Sequence, residues 1–170
     1  INRGGEQGAQ HSQALHAWYA HVPGLRVVMP ATPADARDLF IASVLCDDPV
    51  VFIDDRWLYE RETELDEIAP VDLRDIRPRV RREGSDLTLV GTGNGAAMCE
   101  AAADLLEEVS CEVIDVPVIN PMTDSDWAVI RESHARTGRL LVVDGAWGSC
   151  GWAATVVAAV GGGKAMTLPA

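Results

Sequence analysis

The sequence predicts an α/β fold with a largely parallel sheet, and three observations predict it. Short apolar runs rich in β-branched residues alternate along the chain with longer stretches of helical periodicity. These runs are apolar on both faces, as in strands covered by helices on each side. Thr, Pro and Gly stand at the run boundaries, where caps and turns belong.

Taken in order, residues 12–22 place Leu15, Trp18, Tyr19 and Val22 at helical spacing, predicting an amphipathic helix that Pro23 and Gly24 end. Residues 25–29 read as a strand. Thr32 is placed to cap a helix that takes Pro33 in its first turn and runs to Leu45. Asp47, Asp48 and Pro49 break that helix, and residues 50–53 read as a second buried strand. Residues 54–84 are dense in charge and punctuated by Pro70 and Pro78, which predicts a connection between two units. Beyond it, strands at 87–90, 111–116 and 140–143 alternate with helices at 96–108, 124–137 and 152–160. The first unit is too small for a doubly wound domain and reads as the second half of one, with the Ile1 start read as a cut.

Charge and composition exclude several function classes. The 170 residues carry 14 Lys and Arg against 26 Asp and Glu, a formal net charge of −12, which argues against nucleic acid or anionic lipid as a partner. With 48% hydrophobic residues the chain has the makings of a core. Its apolar runs fall far short of the ~20 residues that span a bilayer. Cys46, Cys99, Cys111 and Cys150 show no metal-ligand or redox spacing, which fits a reducing cytoplasm.

His11, His16 and His21 recur every five residues, each turned about 140° from the last on a helix, so they do not converge on a metal. His16 and His21 read as structural or surface residues. His11 follows a glycine-rich loop and opens the predicted helix, a place where an imidazole faces a bound anion or a reacting carbonyl. Gly91, Gly93 and Ala96 match a dinucleotide fingerprint, with Asp115 where a ribose-binding acid would stand. The competing reading is a tight strand-to-helix turn that needs small residues, in a chain too short after Asp115 to complete a six-stranded nucleotide fold. The glycine-rich turn after Asp144 reads either as a ligand loop or as close docking of a helix, and Asp54 and Asp55 read as a solvated turn.

One resemblance covers nearly the whole chain. Gly8-Ala9-Gln10-His11-Ser12-Gln13, then Ala17-Trp18-Tyr19-Ala20-His21-Val22-Pro23-Gly24-Leu25-Arg26-Val27-Val28-Met29-Pro30, then Asp48-Pro49-Val50-Val51-Phe52, resemble the beta subunit of the decarboxylating component of thiamin-diphosphate-dependent 2-oxoacid dehydrogenases, within the transketolase superfamily. Arg82-Glu83-Gly84-Ser85-Asp86-Leu87-Thr88-Leu89-Val90, Glu112-Val113-Ile114-Asp115-Val116 and Thr137-Gly138-Arg139-Leu140-Leu141-Val142-Val143 run collinear with the same family's C-terminal domain.

The resemblance implies that residues 1–54 are the back half of a transketolase-like pyrimidine-binding domain, 55–84 a linker, and 85–170 a transketolase C-terminal-like domain. It implies a catalytic role for His11, which falls on the family's active-site histidine. It further implies an oxidoreductase subunit that takes part in decarboxylating a 2-oxo acid and passing the acyl group to a lipoyl acyltransferase, in a heterotetramer with an alpha-type subunit. Thiamin diphosphate with a divalent metal such as Mg would be held mainly by residues outside this chain, and no metal or cofactor-binding residue is carried over. Some members bind a structural potassium ion through backbone carbonyls around the helix end before the Pro49 strand, but Cys46 stands where relatives are usually acidic, so the resemblance carries over no metal residue there. Asp55-Arg56-Trp57 departs from the commoner family sequence, so the resemblance does not name the 2-oxo acid. The rival expectations are a related transketolase-like carboligase subunit and a non-catalytic assembly module.

Overall fold

Two sheets share the chain, and neither is built from one contiguous stretch. The computed structural model describes residue 8, residues 10–161 and the backbone of 164–167. Its elements are α1 (His16–Ala20), β1 (Arg26–Val28), α2 (Pro33–Leu45), β2 (Val50–Phe52), β3 (Arg79–Arg82), β4 (Leu87–Gly91), α3 (Asn94–Leu105), β5 (Cys111–Asp115), β6 (Val118–Asn120), α4 (Asp124–Thr137), β7 (Leu140–Asp144), α5 (Trp152–Val160) and β8 (Lys164–Thr167). Single 3-10 turns at Arg56–Leu58 and Leu73–Asp75 interrupt the charged connection.

The larger sheet has the order β3-β5-β4-β7-β8. Its β5-β4-β7-β8 part is parallel, and β3 is added antiparallel to β5 at one edge. A hydrophobic cluster of Leu89, Cys99, Ala103, Cys111, Val113 and Val143 seats α3 on the sheet. A second cluster joins Val90, Ile114, Ile130, Val142, Trp152 and Val156, and so seats α4 and α5. The smaller sheet has the order β2-β1-β6, with β1 parallel to β2 and antiparallel to β6. Val27, Met29 and Ile53 belong to the second cluster, so one core runs through both sheets.

Local chemistry explains the helix ends. Thr32 Oγ1 accepts from the Asp35 amide at 3.1 Å with Pro33 behind it, which starts α2 where the sequence places it. Thr123 and Asp126 form a capping box at the start of α4, and Gly138, at φ 68°, closes that helix in the left-handed region.

Three expectations are corrected. The helix predicted over 12–22 is the single short α1, because Leu15 at its N-cap offers no side-chain oxygen to start it. Its bulky residues also face outward: Trp18 is 70% and Val22 44% exposed, while His16 is buried and Ala17 and Ala20 pack on the core. Asp55, read as part of a solvated turn, is buried, and its Oδ1 accepts from the Trp57 amide at 3.1 Å.

Candidate active site

His11 lies in a turn closed by its own amide, which donates to the Gly8 carbonyl at 3.2 Å, with Gly8 at φ +77°. The side chain is half-buried and stands five residues ahead of α1, so the helix N-terminus that the sequence assigns to it belongs to His16 instead.

His16 occupies an unforeseen position. It is 1% exposed, and its Nε2–H donates to Oδ1 of Asp144 at 2.7 Å. Asp144 is the last residue of β7, and its carboxylate also accepts from the Ala146 amide at 3.0 Å and the Ala153 amide at 2.9 Å. Burial pushes this carboxyl up, but the hydrogen bonds from His16, Ala146 and Ala153 outweigh it and hold Asp144 below the usual carboxylate range. The glycine-rich turn closes around this group, since a Cβ on Gly151 would sit 2.3 Å from the Trp147 carbonyl oxygen. Sequence reasoning placed His16 among structural residues but had no signal for its partner, which lies 128 positions away.

The fingerprint turn is a packing device. A Cβ on Gly91 would meet the Ala96 amide nitrogen at 2.4 Å, and one on Gly95 would meet the Val143 carbonyl oxygen at 2.6 Å. The amides of Gly95 and Ala96 already donate to the Thr92 and Gly93 carbonyls at 2.9 and 3.1 Å, so they are not free to hold a phosphate. Asp115 is committed as well, with Oδ2 held by Arg79 Nη2 at 2.6 Å.

In an open α/β sheet, ligands favour the crevice where strand order reverses, here at the carboxyl ends of β4 and β7. This chain fills that crevice with its own residues. Met29 Cε comes within 3.4 Å of where a Gly93 Cβ would be, and His16 sits on Asp144. Among the described residues no group of three or more His, Cys, Asp or Glu is gathered as a metal site.

The comparisons with known proteins agree on the kinship. The profile of the transketolase C-terminal domain matches residues 77–169, and that of the transketolase pyrimidine-binding domain matches residues 1–61. The 2-oxoisovalerate dehydrogenase subunit beta of Dictyostelium discoideum is 34% identical over 92% of this chain and 42% of its own length. The pyruvate dehydrogenase E1 component subunit beta of Rhizobium meliloti is 41% identical over 80% of this chain and 29% of its own, and the mitochondrial subunit of Rattus norvegicus 35% identical over 94% and 45%. The chain thus spans less than half the length of these curated relatives. A solved structure described as a split-gene transketolase, an inactive β4 tetramer, has a TM-score of 0.74 at 20% identity, covering 96% of this chain and 55% of that one, and speaks to the fold alone. With both domain profiles matched in chain order on the α/β architecture described above, the chain belongs to the transketolase family.

Proposed function

We propose that this chain is part of a beta-type subunit of a thiamin-diphosphate-dependent 2-oxoacid dehydrogenase, taking part in decarboxylation of a 2-oxo acid and acyl transfer to a lipoyl carrier. The observation that carries this reading is the identity of 34–41% to relatives named as dehydrogenase beta subunits, over 80–92% of this chain. An alpha-type subunit in a heterotetramer and a lipoyl acyltransferase are the partners this reading supplies. Thiamin diphosphate and its divalent metal would be held mainly by residues outside this chain. The free thiols of Cys46, Cys99, Cys111 and Cys150 support a reducing compartment, which we take as the cytoplasm.

Within this reading His11 is the catalytic residue, an imidazole able to give or take a proton near neutral pH or to stabilise a developing oxyanion. Its half-buried place in a glycine-closed turn supports the role. The test is His11→Ala in the assembled enzyme, expected to lower turnover by ~10²–10⁴-fold with assembly and melting temperature retained. The exposed His21 serves as the control. Equal loss of activity and stability in both variants would make His11 structural.

A further inference from the structure

The segment that carries His11 has little of its own to hold it. Residues 13–15 have neither helix nor strand structure, and α1 is five residues long, too short to be stable by itself. Its position is therefore set by what it docks on. Two anchors are visible: Ala17 and Ala20 pack on the cluster containing Trp152 and Val156, and His16 reaches Asp144 at 2.7 Å. The second anchor is directional and buried at both ends, with His16 and Asp144 each 1% exposed. Asp144 in turn is fixed by amides from the turn after β7 and from α5.

We propose that His16 and Asp144 are a positioning pair for His11: the C-terminal domain pins the start of α1 at the carboxyl end of β7 and so sets where the His11 turn stands. The inference rests on the reading of His11 as an active-site residue. It makes the C-terminal domain a contributor to active-site geometry, through a hydrogen bond that crosses from one matched domain to the other. His16 is a positioning residue, acting through the backbone of residues 12–15.

The test uses the assembled enzyme and compares His16→Leu, which keeps apolar volume and loses the donor, with His16→Gln, whose Nε2 stands about as far from the backbone as that of His. Amide hydrogen exchange is read over residues 10–15, with α4 as internal reference, beside kcat and KM. His16→Leu is expected to speed exchange over 10–15 on the order of tenfold with α4 unchanged. It should lower kcat on the order of a hundredfold with KM little altered, as misplacement of a catalytic group does. His16→Gln should restore both. Should His16→Leu fail to assemble, His16→Asn, too short to reach Asp144, is read the same way. Unchanged exchange over 10–15, an equal rise in α4, or no rescue by Gln would each overturn the proposal. Expected exchange in these variants, together with full turnover in His11→Ala, would overturn the active-site reading and with it the positioning role. Lost turnover in His11→Ala with unresponsive exchange would overturn the positioning role alone.

Discussion

Arg79 holds two acids at once: Nη2 lies 2.6 Å from Asp115 Oδ2, and Nη1 lies 2.9 Å from Asp35 Oδ1. One side chain of the edge strand β3 thus joins the end of β5 to the first turn of α2. Arg81 supports the arrangement at 3.6 Å from each acid and at 2.8 Å from Glu100 on α3.

The pair has a pH signature. Burial pushes the Asp115 carboxyl up, Arg79 and Arg81 pull it down and Asp35 adds to the rise, leaving it at about 6. A carboxyl raised in the folded state binds its proton more tightly there than in the unfolded chain. Its contribution is complete below its unfolded value near 3.8 and is lost as pH rises through about 6, a change of at most about 3 kcal/mol. Asp115→Asn removes this dependence. Urea unfolding across about pH 4–7 should therefore show wild type losing stability relative to the variant as pH rises. A constant difference across that range would contradict the assignment.

Gly95 offers a test in which two principles oppose each other. Alanine inside a helix is favoured over glycine by ~1 kcal/mol, so propensity alone predicts that Gly95→Ala stabilises α3. The Cβ would lie 2.6 Å from the Val143 carbonyl oxygen, backbone that cannot step aside without moving the helix off the sheet. The expected result is a loss of about 1–3 kcal/mol in chemical denaturation. A gain would mean that α3 does not approach β7 this closely.

Three of the five tryptophans are exposed: Trp18 at 70%, Trp57 at 57% and Trp147 at 75%. Large aromatics are enriched at interface centres. Titrating the proposed alpha-type partner into this chain should shift tryptophan emission to shorter wavelength and reduce quenching by acrylamide. Unchanged quenching on complex formation would place all three outside the interface.

Much of the fold is legible in the sequence where local chemistry decides it. The spans of α2, α4 and α5 follow from Thr32 with Pro33, from Thr123 with Gly138, and from the apolar run of residues 152–160. Strand β3 is hidden because Arg79, Arg81 and Arg82 read as linker charge. Only the fold shows that two of them reach the buried acids Asp35 and Asp115. Strand β6 is hidden because Val118 and Ile119 follow β5 so closely that they look like its continuation. The outward face of α1 inverts the usual reading of an apolar stripe, since the small residues Ala17 and Ala20 and the polar His16 are the ones that dock. At the candidate site, the glycine-rich context of His11 is visible in sequence, whereas the His16–Asp144 pair is a product of topology alone.

The pairing of β1 with β6 governs how the molecule comes into being. The side-chain amide of Asn120 donates to the Leu25 carbonyl across 95 residues, and Val28 lies beside Val118 in the same ladder. Such distant closures make folding slow, because the chain must be drawn together before the contact rewards it. During translation β1 emerges long before β6 exists, so its hydrogen-bonding edge on that side waits until the chain through Asn120, nearly half of the second matched domain, has left the ribosome. A protease cut in the exposed stretch around residues 60–71 would sever the backbone yet leave the two fragments interlocked through that ladder and the shared core. The two matched domains thus share one strand ladder and one hydrophobic cluster, so neither closes its own core without residues from the other.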